Sequence, residues 1–526
     1  MRNWSLSLLF LVVLSLSGTA QRNMSLLGRL QYDEELSDVW GWSNGKSEYA
    51  LVGLNNGFSV VDISDPGTPT EVFFQPGPGT SWRDIKTWKG YAYITNESSE
   101  GLLIVDLNSL PENPNLDTAT YTGDEFSFQR AHNLYIDENG ICYIFGANHA
   151  LGGVIVLDLN QDPMNPVELG RFNGFNLHDG VARGDTLWGF AIDNGNVAVL
   201  DVSDKANLEL IGSFPSPGKA AHNGWFSDDN RYIFTTDEMD NGVVAAYDMS
   251  DLGNPKELDR YRSNPGSNSV PHNVHYHEGF LVTSYYKDGI TLVDASRPRN
   301  LIETGFYDTS PEASGGGTSG CWGAYPFLPS GLVLATDIAN GLFVFRPHYI
   351  KGCYLEGTIR SGDDCSTVLR PRIQILSTDV AKTGELNGTY AVGFHQAGTY
   401  SVLVEADGYI SKTVDNVVLE NGVLTNLNVR LDPVDGTSGD NGLALLRSYP
   451  NPFREQFTLE VRCSDYFETV KELRVINYQG KVVEEGIWPA NELTFQLGGA
   501  WGTGLFYLEV RSEGEVIGEM KLIKEY

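Results

Sequence analysis

Four histidines recur in this chain with a matching neighbour: His132-Asn133, His178-Asp179, His222-Asn223 and His272-Asn273, at intervals of 46, 44 and 50 residues. A neutral imidazole offers a lone pair to a divalent transition metal, and a carboxylate or carboxamide beside it can complete or orient the ligand set. Aligning the chain on its turns puts Arg83-Asp84 and Trp322-Gly323 at the same place, with Asp38 as a looser counterpart near the start. Polar turns downstream add Glu97, His149, Asp193, Asp237, Glu238 and Asp337. If these positions converge, the expected metal ligands are His132, His178, His222 and His272, helped by Asp237 or Glu238. Arg83, Asp84, Asn133, Asp179, Asn223, Asn273 and Trp322 are then expected to contact a small-molecule, glycan or protein ligand. An architectural reading stands beside this one, because imidazole and carboxamide at a strand start can bond neighbouring backbone and join units. Recurrence alone does not separate the two.

The elements that would position these residues are written as a repeat. "NGFSVVDIS", "EGLLIVDLN", "GGVIVLDLN", "NGNVAVLDVS", "NGVVAAYDMS" and "DGITLVDAS" share a glycine, an apolar run and an aspartate, and "NGLFVFRP" is a seventh copy with Arg346 in the aspartate's place. Asp62, Asp106, Asp158, Asp201, Asp248 and Asp294 follow one another at 44, 52, 43, 47 and 46 residues. Four β-rich runs fit in each unit, as in "HNLYID", "ICYIFGA", "GVIVLDL" and "VELGRF". Four strands at that period describe the blade of a β-propeller. The aspartates have a local reason, since a carboxylate at the end of a strand accepts backbone N–H groups of the following turn. The seventh unit lacks a fourth strand, and "LLGRLQY" near residue 30 resembles the fourth strands "VELGRFN" and "KELDRY". The N-terminal run is therefore expected to close the ring.

Composition narrows the function. The chain has 526 residues, 41% of them hydrophobic, with 68 acidic against 36 basic residues and a formal net charge of -32. Such a surface repels nucleic-acid phosphate and anionic lipid, so neither is expected as a partner. Residues 1–20, with Arg2, the apolar "LSLLFLVVLSLS" and Gly18-Thr19-Ala20, have the form of a signal peptide, and no later stretch is long enough to span a membrane. Of the five cysteines, Cys353 and Cys365 are close enough in sequence to suggest a local disulfide. No G-x-S-x-G, H-E-x-x-H, phosphate-binding or D-x-D-x-D-G calcium motif is present.

Three resemblances extend the reading. "GWSNGKSEYALVGLNNGFSVVDISDP", "SWRDIKTWKGYAYI" and "AHNLYIDENGICYIFG" resemble the choice-of-anchor B family of exported LVIVD-repeat propellers. "LEGTIRSGDD", "RIQILSTD", "GTYAVGF" and "GTYSVLVEADGYISKTV" resemble the carboxypeptidase regulatory-like β-sandwiches, which implies a spacer. "LRSYPNPF", "ELRVINYQGKVV" and "GTGLFYLEVRSEGEVIGEMKLIKEY" resemble the C-terminal sorting domain of type IX secretion substrates of Bacteroidetes, which implies that secretion machinery as a partner. The expected architecture is all-β: a signal peptide (1–20), a seven-bladed β-propeller (21–350), two small β-sandwich domains (351–432 and 443–526) and a linker (433–442) between them. The expected function is an exported, secreted or surface-held binding protein. A metal-dependent enzyme of hydrolase or lactonase type, working at the mouth of the propeller channel, is the alternative.

Overall fold

The computed structural model describes residues 21–362, 365–434, 446–461, 471–489, 494–512 and 515–526. The expected signal peptide, most of the expected linker, Leu443 and Cys463 lie outside them. Among the described residues the chain forms strands and one 3-10 turn, Ile192–Asn194, and no α-helix. None of its helical segments is long and apolar enough to cross a membrane. Two compact units divide at Gly352 and Cys353.

The first unit holds seven antiparallel blades in chain order, six of four strands and one of five. Their innermost strands are Leu36–Ser43, Ile85–Trp88, Asn133–Ile136, Asp179–Arg183, Ala221–Phe226, Val274–His277 and Cys321–Tyr325. Each of these packs beside the next, and the seventh packs beside the first, so the blades form a closed ring. Closure is made by Met24–Leu30, which pairs antiparallel with Gly341–Pro347 and supplies the fourth strand of the seventh blade. The preceding pair, Gln21–Arg22, adds a fifth strand to the outer edge of the sixth blade through Ile302–Tyr307. The N-terminal run thus clasps two blades, a pairing too short to show in the sequence pattern.

The repeated residues have local causes. Asp62, Asp106, Asp158, Asp201, Asp248 and Asp294 each accept the backbone N–H two residues on, at 2.8–3.0 Å, which turns the chain between the third and fourth strands. Gly28 and Gly170 sit at bulges in fourth strands where the Asp turn of the next blade crosses. A Cβ at Gly28 would lie 2.2 Å from the Pro66 carbonyl oxygen, and one at Gly170 would lie 2.1 Å from that of Lys205. Only glycine admits that approach.

Because side chains alternate along a strand, the residues two past the Asn/Asp positions and Gly323 share their face. Trp40, Lys86, Tyr135, Val181, Trp225, His275 and Tyr325 occupy those places. The Lys86 ammonium lies 4.5 Å from the centre of the Trp40 ring, and Trp225 lies 4.8 Å from His275. Beyond them, past the end of the seventh innermost strand, Phe327 packs against its neighbours. Its ring lies 5.4 Å from Trp225 of the fifth blade, 5.6 Å from His275 of the sixth and 6.5 Å from Trp40 of the first.

The second unit contains two β-sandwiches with separate cores. One packs Ile359, Ile373, Val402, Val404 and Leu431 between two sheets, and the other packs Phe457, Leu459, Trp488, Trp501 and Leu508. The local disulfide suggested by sequence spacing does not form. Cys353 is a free thiol, since it opens the strand Cys353–Ser361 with its side chain in the first sandwich core. Cys365 is disulfide-bonded.

Candidate functional site

At the channel mouth the two halves of the His-Asn pair diverge. The Asn/Asp residues face the joints between blades: Asn133 Nδ2 donates to Asp84 at 2.9 Å and Asn223 Nδ2 to Asp179 at 3.0 Å. Asp38 accepts the Ile85 N–H at 3.1 Å, and Asn223 Oδ1 accepts the Val274 N–H at 3.1 Å. In the seventh blade the position is Gly323, where a Cβ would lie 2.8 Å from the Val39 nitrogen. Asp84, Asn133, Asp179 and Asn223, expected to contact a ligand, make these bonds between blades. A second set of joints comes from hydroxyls that the sequence reading did not single out. Thr95, Thr236, Ser284 and Thr336 donate across to the carbonyls of His132, His272, Trp322 and Ser37 at 2.5–2.9 Å.

The imidazoles turn the other way and meet. Ring centroids lie 3.7 Å apart for His132 and His178, 4.7 Å for His178 and His222, and 4.4 Å for His222 and His272. Trp322 closes the arc 4.5 Å from His272. Two of the rings are oriented by bonds to Nδ1. His132 Nδ1 donates to Glu97 at 2.6 Å, and His272 Nδ1 donates to the Trp322 carbonyl at 2.6 Å. Such outer bonds commonly fix a metal-binding histidine with Nε2 free. His132 Nε2 lies 3.8 Å from Asp179 Oδ1, and His272 Nε2 lies 3.8 Å from Glu238 Oε1. His222 has Nε2 3.5 Å from Glu238 Oε2 and Nδ1 4.0 Å from Asp179 Oδ2. Two donor groups result, each with its ligand atoms within 4.8 Å of one another: His222, Glu238 and His272; and His132, His178, Asp179 and His222.

Burial sets the protonation states. It holds His178 well below the usual imidazole range and pushes His222 and His272 down to about 3, so their lone pairs are available at neutral pH. For His132 burial works the same way, but the Glu97 hydrogen bond and the charges of Asp179, Glu97 and Asp84 outweigh it and the pKa is raised. Burial, with the charge of Asp84, pushes Asp179 up to about 7, against the opposing pull of His132 and Asn223.

The remaining expected residues stand elsewhere. Asp237, proposed beside Glu238, is turned away: its carboxylate accepts Ser216 Oγ and the N–H groups of Gly218 at 2.7 Å and Ala220 at 3.1 Å, holding that loop. Asp237 closes the strand Tyr232–Asp237, and Glu238, just beyond its end, turns instead toward His222 and His272. Asp337 has the same loop-holding role, bonded to Thr309 and to the Ala339 and Asn340 N–H groups. His149 bonds Ser127 and Arg171, and Asp193 bonds Asn176 on the exposed surface. The Arg83 guanidinium is tied to the Leu54 and Asn55 carbonyls and lines a separate cavity of about 280 Å³ with Gln75, Asn96 and Thr118. Asn273 lies at its joint with Oδ1 unbonded. Sequence reasoning missed Tyr286, whose hydroxyl donates to Glu238 at 2.7 Å. It also missed Lys86, buried and paired with Asp84 beside Asp38. Stepping two residues along from the Asn/Asp ring would have found Lys86 and His275.

Comparison with known proteins gives a partial answer. LVIVD repeats match residues 46–74, 79–122 and 190–215, which fall in the first, second and fourth blades. A secretion system C-terminal sorting domain matches residues 447–525. No curated protein matches. Among solved structures, a candidate 6-phosphogluconolactonase from Bacteroides uniformis is 14% identical, with TM-score 0.42, over 54% of this chain and 88% of that one. A protein from Lactobacillus plantarum is 14% identical, with TM-score 0.43, over 58% and 89%. The chain is an LVIVD-repeat β-propeller that carries a type IX sorting domain and is exported to the cell surface or the medium.

Proposed function

We propose that this exported propeller is a metal-binding protein, with one divalent transition-metal ion held at the channel mouth by His222 Nε2, His272 Nε2 and the Glu238 carboxylate. The reading is carried by the meeting of these donors within 4.8 Å. A tetrahedral ion with bonds of about 2.1 Å needs donors roughly 3.4 Å apart, and the spacings of 3.5 and 3.8 Å around Glu238 are close to that. Two imidazoles and a carboxylate suit zinc, copper or nickel rather than magnesium or calcium. Tyr286 and the Trp322 carbonyl steady the set from outside. Three protein donors leave a coordination position for water or for a donor group of an external ligand.

The test is elemental analysis of protein prepared without chelator, with melting curves in added zinc or copper at neutral pH. Bound metal and a melting temperature raised by mass action are expected, and Glu238→Ala with His272→Ala should abolish both. A wild type with no stoichiometric metal and a melt indifferent to either ion ends the proposal. Hydrolysis of lactone or ester substrates by the metal-loaded form alone would assign the open position to an enzyme.

A further inference from the structure

His222 stands between two donor sets, and each of its ring nitrogens faces a different one. Nε2 points to Glu238 and Nδ1 to Asp179. Its side chain is 2% exposed and Nδ1 has no hydrogen-bond partner. Asp179, with a side chain 1% exposed, has Oδ1 unbonded, and His178 Nε2 is unbonded beside them. A buried polar atom left unpaired is costly, and three at one spot, with His132 Nε2 turned toward them, point to an occupant. All of the facing atoms are lone-pair donors or can become so by losing a proton, which suits a cation.

We infer that the mouth is a two-ion centre. The second ion lies among His132, His178, Asp179 and His222, and His222 bridges the pair as an imidazolate. This rests on the single-ion site proposed above. Proton balance is simple: neutral His222 carries one ring hydrogen, which the second ion replaces and solvent receives. His132 keeps its Nδ1 hydrogen on Glu97 and gives up any hydrogen on Nε2. Charge also balances, because Glu97, Asp179, Glu238 and the imidazolate offset two divalent ions. His132 bonded to Glu97 repeats the arrangement of His272 bonded to Trp322, so each ion has one ring fixed from outside.

The experiment is titration of the metal-free mature chain with copper(II), followed by equilibrium dialysis and electron paramagnetic resonance. Two coppers per chain are expected, with a signal that grows over the first equivalent and falls over the second as the bridged spins couple. His132→Ala with His178→Ala should bind one copper with a full, persistent signal. His222→Gln should lose the coupling, and if it does not fold, as judged by its melt, the His132/His178 variant carries the comparison. Binding of one copper by the wild type overturns the two-ion centre and leaves the single site standing. Two coppers with undiminished signal overturn the bridge. No bound copper overturns both readings.

Discussion

His272 and Trp322 are joined across the sixth and seventh blades by a 2.6 Å hydrogen bond from the imidazole Nδ1 to the backbone carbonyl. A carbonyl can only accept, so the bond sets the tautomer and leaves Nε2 toward Glu238. The same contact therefore closes a joint between blades and, in the proposed metal site, fixes the tautomer that would bind. Asn223 shows the other half of this economy, serving the joint alone.

Asn223→Ala should remove both the bond to Asp179 and the acceptor for the Val274 N–H. Leaving buried partners unpaired should cost about 2–4 kcal/mol, read as a lower midpoint in urea unfolding. Binding at the His222, Glu238 and His272 set should stay as in the wild type, since Asn223 bonds none of those donors.

Deleting residues 25–32 should strip the closing strand from the seventh blade and expose the edge Gly341–Pro347. A lower melting temperature and aggregation in light scattering are expected. A monodisperse variant with the wild-type melt would mean that the ring closes without it.

His275 gives a pH dependence whose sign can be worked out. It is buried among Trp40, Trp225 and Phe327 with Nδ1 unpaired. Burial first, and then the charge of Lys86, pushes its pKa down to about 3. An unfolded histidine titrates near about 6.5, so between those values only the unfolded chain binds the proton and stability falls as the pH drops. Above the upper value both states are neutral and nothing is gained. His275→Phe should flatten the fall by up to about 1.4 kcal/mol per pH unit, measured by urea unfolding between pH 7 and pH 4. His178, His222 and His272 titrate in the same sense and remain as the background. Equal slopes in variant and wild type would refute this assignment.

Truncation before Leu443 removes the sorting domain matched at residues 447–525. The truncated protein should fold and accumulate in the periplasm, detected by fractionation and immunoblot. Normal amounts outside the cell would contradict the role of that domain.

The propeller was legible because its causes are local: the strand period, the Asp turn and the unit spacing all lie within a blade, and the closing strand resembles its counterparts. The site was half legible. Recurrence found the four imidazoles and the polar turns found Glu238, but choosing Glu238 over Asp237 requires knowing where the strand ends, which adjacent residues in sequence do not reveal. The separate roles of His and Asn are not revealed by adjacency either. Tyr286 depends on a loop from a neighbouring blade, and Cys353 depends on which face of its strand meets the sandwich core. Neither is encoded by spacing.

Phe327 has a mechanical consequence. Its ring follows the innermost strand of the seventh blade and meets aromatic side chains of the fifth, sixth and first blades. One side chain therefore spans the seam at which the N-terminal strand completes the ring. Trimming it would loosen that seam without touching the four histidines of the mouth.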